Sequence, residues 1–341
     1  MGLSLVTGGG GFLGRAIVEM LLSQAESVRV VARGQYPELA GQGVDCRQAD
    51  LRDADAVNAV CQGVDIVYHV AALAGVWGRR RDFFSVNVDG TDNVIAACRR
   101  HGVPRLVYTS SPSVVFGMSS LEGVDESQPY PQRFYAHYPE SKAVAERRVL
   151  AAADNGLATC ALRPHLIWGP GDTHIVPLLA SQAKAGKLIQ VGDGSNLADM
   201  TYIDNAATAH LQAAAALTEA SPVNGQAYFI GDAAPVNMWE WINELLAHLE
   251  LPPVRRSISY AAASRIGLAM EMVYTVLPFL GQPRLTRFLA SQFATSHYFD
   301  HGKAKRDFGY DPQVNNAEGM RRTAAWYTGG MGRRIGDGAE R

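Results

Sequence analysis

The chain carries almost no net charge: 31 Lys and Arg against 33 Asp and Glu leave −2 at neutral pH, with no long cationic run. Nucleic acid rewards clustered cations and is set aside as a partner. Cysteine is scarce, with only Cys46, Cys61, Cys98 and Cys160 and no CxxC pair. That excludes a zinc ribbon and a disulfide framework, and fits a reducing cytoplasm. The nine histidines form no HExxH; His297 and His301, four apart, read as surface residues, and no metal is implied. The N-terminus lacks the charged, apolar and small-residue zones of a secretion signal. A clean apolar run of about 20 residues, enough to cross a bilayer, is also missing. The nearest approach, 261–280, is interrupted by Arg265, Glu271 and Pro278. It reads as a buried or substrate-covering helix, with an interfacial helix making peripheral membrane contact as the sharper alternative.

What is present is an ordinary packed globule, 47% hydrophobic and 19% charged. At 341 residues it is long enough for a large domain with a smaller one appended. Short apolar runs at 3–7, 28–32, 65–70, 106–109 and 159–162 alternate with helical stretches. Such alternation predicts an α/β fold, a doubly wound parallel sheet of Rossmann type, with a smaller C-terminal substrate lobe. The dinucleotide-binding domain is placed mainly at 1–168. The substrate lobe is placed mainly at 169–328, with some return to the sheet, and a flexible Gly- and Arg-rich tail at 329–341.

The first strand runs into TGGGGFLG. Gly8, Gly11 and Gly14 there permit a tight turn and close approach of a pyrophosphate to a helix opening with Phe12 and Leu13. At the end of the second strand, where an acidic residue would accept from a ribose 2′-hydroxyl, stands Arg33; no Asp or Glu lies between Glu26 and Glu38. The predicted cofactor is therefore NADP(H), with the guanidinium on the 2′-phosphate. Arg15 is read either as a second cation there or as a solvated first-turn residue. Asp50 and Leu51 end the third strand where adenine would lie. Ala71 and Ala72 follow the fourth and leave room for the cofactor.

Tyr138 and Lys142 are four apart at the start of a helix, so they share a face. A free tyrosine titrates near ~10, and a neighbouring ammonium would favour the phenolate, making Tyr138 an acid–base candidate and Lys142 its cation. Ser110, Ser111 and Ser113 cluster at the end of the fifth strand. Ser111 is the choice for binding the reacting oxygen, and at least one of the others is a turn-forming hydroxyl. Asn87 either anchors a proton-relay water or bonds backbone within the fourth helix.

Together, TGGGGFLG, HVAA, NVDGTDN, YTSSPSVVFG, YPESK, LRPHLIWGPGD and TYIDNAATAH resemble the extended short-chain dehydrogenase/reductase superfamily over residues 1 to about 330. YTSSPSVVFG and ATSHYFDHGKAKRDFGY resemble its 3β-hydroxysteroid dehydrogenase branch, nearest the bacterial 2-alkyl-3-oxoalkanoate reductases of olefin biosynthesis. Pro112 and Phe116 depart from the epimerase pattern SSSxxVYG. The resemblance implies that Ser111, Tyr138 and Lys142 form a catalytic triad and that Lys142 also holds the nicotinamide ribose. It places backbone near Pro164 and His165 beside the carboxamide, and has Tyr202 and Asp204 positioning the substrate lobe. It further implies a homodimer. The expected reaction is NADPH-dependent reduction of a 2-alkyl-3-oxoalkanoic acid, an apolar β-keto acid, to the β-hydroxy acid. The rivals are a 3β-hydroxysteroid or sterol-4-carboxylate 3-dehydrogenase and a non-catalytic NADP(H)-sensing regulator. Intact Tyr138 and Lys142 argue against the last.

Overall fold

The computed structural model describes residues 2–153 and 156–329; the tail expected at 329–341 lies, from 330 onward, outside the described residues. Seven strands form a parallel sheet: β1 Leu3–Thr7, β2 Ser27–Ala32, β3 Asp45–Gln48, β4 Ile66–His69, β5 Arg105–Thr109, β6 Ala158–Pro164 and β7 Gln226–Ile230. Their order is β7-β6-β5-β4-β1-β2-β3. After β3 the chain returns to the other side of β1 to lay down β4. This reversal opens a crevice at the carboxyl ends of β1 and β4, where ligands of such sheets bind.

The strands are apolar on both sides because both faces are covered. Val6, Val107 and Leu162 share one core with α1 (Phe12–Ser23), while Leu5, Leu106 and Tyr108 join a second core on the opposite face. That second face is covered by α2 (Gly90–His101) and α3 (His137–Ala151). The side expected to receive substrate carries α4 (Ile175–Lys184), α5 (Ile203–Ala216), α6 (Met238–His248), α7 (Tyr260–Val276) and α8 (Arg287–Ala294). Helix α5 and strand β7 return to the Rossmann sheet, and alanines 206, 209 and 213 let α5 lie close on α1. Trp168, Tyr202 and Trp241 continue the same core into the substrate side, so no apolar boundary separates the lobes.

Several expectations change. Residues 261–280 form α7 and a 3-10 turn at Pro278–Leu280, but only Ala263 and Gly267 of α7 are buried. The buried-helix reading fails because one narrow face packs and the rest is partly or fully exposed. His297 is not a surface residue: it is 1% exposed and stacks on Phe116 with ring centroids 4.3 Å apart. His301 faces Asp199 at 3.0 Å. Strand β3 stops at Gln48, so Asp50 and Leu51 follow it rather than end it.

Candidate active site

The turn after β1 is shaped for a close ligand. Gly8 has φ +70°, and a Cβ there would lie 2.9 Å from Ala71 Cα; one on Gly14 would lie 2.2 Å from the Gly8 carbonyl oxygen. Only glycine closes this turn. Helix α1 begins after Gly11 with no side-chain cap and no acidic residue in its first turn. Its first amide groups therefore remain available, with the positive end of the helix dipole, for an anion.

A cleft of about 580 Å³ extends from this turn along the sheet edge. It gathers Gly8, Gly11, Phe12, Leu13, Gly14, Arg33, Asp50, Leu51, Ala71, Ala72, Ser111, Tyr138 and Pro164. Arg33 is exposed, and its guanidinium has no ion-pair partner among the described residues. Arg15, by contrast, pairs with Glu19 at 3.1 Å and Glu38 at 3.4 Å and does not line the cleft. In this structure it has the surroundings of the solvated first-turn residue. Arg52 binds Asp50 and holds its carboxyl down at about 2. Tyr36, missed from sequence, packs its ring so near Gly10 that a Cβ there would come within 2.0 Å of it. A turn that only glycines can make, a bare helix terminus and a free cation at the far wall fit a dinucleotide.

The cleft floor is tied to α3 by hydrogen bonds. Thr91 donates to the Asn87 carbonyl oxygen (2.7 Å), so His69 Nε2 donates to Thr91 (2.9 Å) and Nδ1 accepts from Thr7 (2.8 Å). Burial lowers the His69 pKa to about 3, keeping the ring neutral. Thr7 accepts from Ala71 N (3.1 Å). Asn87 accepts from Leu73 N (2.7 Å) and donates to Leu73 O (3.0 Å) and Ser141 Oγ (2.9 Å). Asn87 thus bonds backbone across the cleft floor, not within its own helix. It sits in a π-helical turn, Ser85–Asp89, that precedes α2.

A second cavity of about 300 Å³ adjoins the first, walled by Leu178 and Leu179 of α4, Trp241 and Ile242 of α6, and Phe288 and Phe293 of α8. No Lys or Arg lines it among the described residues; its polar groups are Ser111, Ser113, Tyr138, His165 and Gln292. Ser111 and Tyr138 line both cavities, as do Leu166 and Ile175. His165, its backbone expected beside the cofactor with that of Pro164, lines this apolar side with its ring, Nδ1 lying against Asp199 O at 2.8 Å. Tyr202 packs on Trp168 (5.4 Å) and Asp204 pairs with Arg322 (3.2 Å), joining the substrate side to the helix Asn316–Thr328.

Burial raises the Tyr138 pKa, and the Ser111 hydroxyl opposes the shift. Lys142 is 2% exposed; its Nζ donates to Thr109 O (2.5 Å) and lies 4.0 Å from the centre of the Tyr108 ring. Burial depresses it to about 7 against a pull upward from Glu146. The expected lowering of Tyr138 by Lys142 is therefore absent from this geometry: the ammonium turns to the β5 backbone and lines neither cavity. Glu146 itself accepts from Arg163 (2.6 Å) and Tyr130 (2.6 Å), locking α3 to β6. Ser110 lines the cleft with a buried hydroxyl that has no hydrogen-bond partner among the described residues.

Comparison with known proteins places this geometry in a family. The model described as "3-beta hydroxysteroid dehydrogenase/isomerase family" matches residues 5–259. A 2-alkyl-3-oxoalkanoate reductase from Stenotrophomonas maltophilia is 50% identical over 323 residues, 94% of this chain and 98% of that protein. Its namesake from Shewanella oneidensis is 46% identical over 94% of this chain and 85% of that protein. Among solved structures, MoeE5 in complex with UDP-glucose and NAD superposes with a TM-score of 0.75 at 25% identity, covering 97% of this chain and all of that one.

Proposed function

We propose, from the premise that this chain belongs to the 3-beta hydroxysteroid dehydrogenase/isomerase family, that it reduces 2-alkyl-3-oxoalkanoic acids with NADPH. It is an oxidoreductase acting on CH–OH and C=O groups, as its relatives are named. The regulator reading loses its motive on the same ground. The observation carrying the proposal is that Ser111 and Tyr138 belong at once to the wall of a cofactor-shaped cleft and to that of an apolar pocket. A carbonyl carbon held at that junction would face both.

When bound, the nicotinamide supplies the hydride. The amide groups opening α1 would hold the pyrophosphate and Arg33 the 2′-phosphate. Ser111 donates a hydrogen bond to the substrate's 3-oxo oxygen. Tyr138 delivers the proton that turns that oxygen into a hydroxyl, and burial, which keeps the phenol protonated, suits it to that role. Lys142, released from Thr109, would hold the nicotinamide ribose and steady the phenolate left on Tyr138. The two alkyl branches fill the space lined by Trp241, Phe288 and Phe293, while Ser113, His165 and Gln292 are the polar groups able to meet the carboxyl. Arg33 supports reduction as the working direction through its preference for the phosphorylated cofactor.

The test is NADP+ reduction followed by absorbance, offering a long-chain 2-alkyl-3-hydroxy acid and, separately, a sterol 3-hydroxy-4-carboxylic acid. Turnover of the alkyl acid with NADP+ preferred over NAD+ is expected. Turnover of the sterol alone, with NAD+ preferred, would replace the proposal with the sterol dehydrogenase.

A further inference from the structure

We propose that α7 and the turn after it form a docking face for an anionic phospholipid surface, beside the pocket that receives the substrate. Ten large apolar side chains are exposed among the described residues, and eight of them fall between 266 and 280. Val276 is 76% and Phe279 79% exposed. Single exposed apolar residues are ordinary, but eight on one short segment are a contiguous patch of the kind that marks an interaction surface.

The patch is held outward by its own packing. Gly267 lies so close to α8 that a Cβ would come within 2.7 Å of the Thr286 carbonyl carbon. Glu271 accepts from both Arg287 N and Arg287 Nε at 2.7 Å. These residues and Ala263 occupy the inner face, leaving Leu268, Met272 and Val276 in a stripe facing outward. Helix α8, to which α7 is fixed, supplies Phe288, Leu289 and Phe293 to the substrate pocket, and Leu178 on the pocket's other wall is itself 55% exposed. The apolar surface outside and the apolar pocket inside are one helix layer apart.

Charge decides what covers the face. Between 251 and 299 the sole acidic residue is Glu271, already engaged by Arg287. Arg255, Arg256, Arg265 and Arg284 are exposed and make no side-chain hydrogen bond or ion pair among the described residues. A second copy seated on this face would bring to it the same cationic segment, whose one carboxylate, Glu271, is already engaged. An anionic headgroup layer neutralises them while its acyl region takes the apolar stripe. No described helix is long and apolar enough to cross a membrane, so α7 lies in the interface plane. That an apolar keto acid enters from that side rests on the function proposed above; the docking itself does not.

The experiment is flotation of the full-length protein with vesicles of phosphatidylcholine alone or mixed with phosphatidylglycerol, alongside Val276→Asp/Phe279→Asp and Arg265→Glu/Arg284→Glu. All four positions are exposed, and circular dichroism checks folding. The wild type is expected to float with the mixed vesicles and to be released by salt. Each reversed arginine should lower the partition about fivefold or more, and the aspartate pair should abolish it. Turnover of a keto acid embedded in vesicles should fall in both variants, while that of a short-chain, water-soluble one stays unchanged. Absence of wild-type binding, or equal binding by the variants, overturns the docking face. So does a change in oligomeric state without vesicle binding, which would make it a protein interface. Failure to turn over the soluble acid in every form would instead overturn the proposed reaction.

Discussion

Asn87 Nδ2 donates to Ser141 Oγ at 2.9 Å, and Ser141 in turn donates to the Tyr138 carbonyl oxygen at 2.9 Å. Through these bonds the loop under the cofactor cleft and the first turn of α3 are one rigid unit. Asn87→Ala would leave the Leu73 amide and carbonyl without partners at a cost of about 1–3 kcal/mol each. The expected result is a lower melting temperature and a raised KM for NADPH. An unchanged KM in a destabilised variant would reduce Asn87 to a structural role.

Tyr138→Phe removes the proton donor but keeps the ring. Turnover should fall by about 10²–10⁴, while NADPH binding, read by fluorescence titration, stays near wild type. Residual activity above a tenth of normal would assign the proton to another group.

Arg33→Asp should shift the ratio of kcat/KM for NADPH over NADH towards NADH. Loss of a charge-assisted bond of about 1.5–3 kcal/mol corresponds to roughly ten- to a hundredfold. A ratio left where it was means the guanidinium never meets the 2′-phosphate.

Lys142 gives a stability signature without cofactor. Its pKa falls from 10.5 to about 7 on folding, so between those values the unfolded chain binds more protons than the folded one. This group's contribution therefore makes stability rise with pH across that window, and it is levelled above it. Urea midpoints between pH 7 and pH 10 should show a gentler upward slope in Lys142→Met than in the wild type. Parallel slopes would mean that Lys142 stays charged in its pocket.

Glu146→Ala would strand Arg163, whose side chain is 4% exposed. Breaking one side of a buried pair costs about 3–5 kcal/mol, read as a fall in the urea midpoint. A shift under 1 kcal/mol would show that water or a neighbour takes over.

The parts of the site set by local pattern were legible in the sequence. The glycine turn, Arg33 at a strand end and Tyr138 in a helix start all fall on the cleft, because each follows from where a parallel strand stops. The parts set by distant segments were not. The turn of Lys142 towards Thr109 depends on the β5 backbone, and the side taken by His165 depends on Asp199, 34 residues on. Spacing alone put His297 on the surface, whereas Phe116 buries it. The apolar run at 261–280 could not disclose which face packs, since that choice is made by Ala263 and Gly267 against α8.

Strand β7 lies beside β6 in the sheet although the whole excursion through α4 and α5 intervenes. During synthesis the edge of β6 thus stays bare until residues 226–230 leave the ribosome, and a fragment ending at 168 would keep that edge open to pairing with other chains. The segments before and after 169 are consequently not separable cassettes. Exchanging the substrate side between relatives would have to carry β7 and α5 along, with seams placed outside 203–230 rather than at the apparent border near 169.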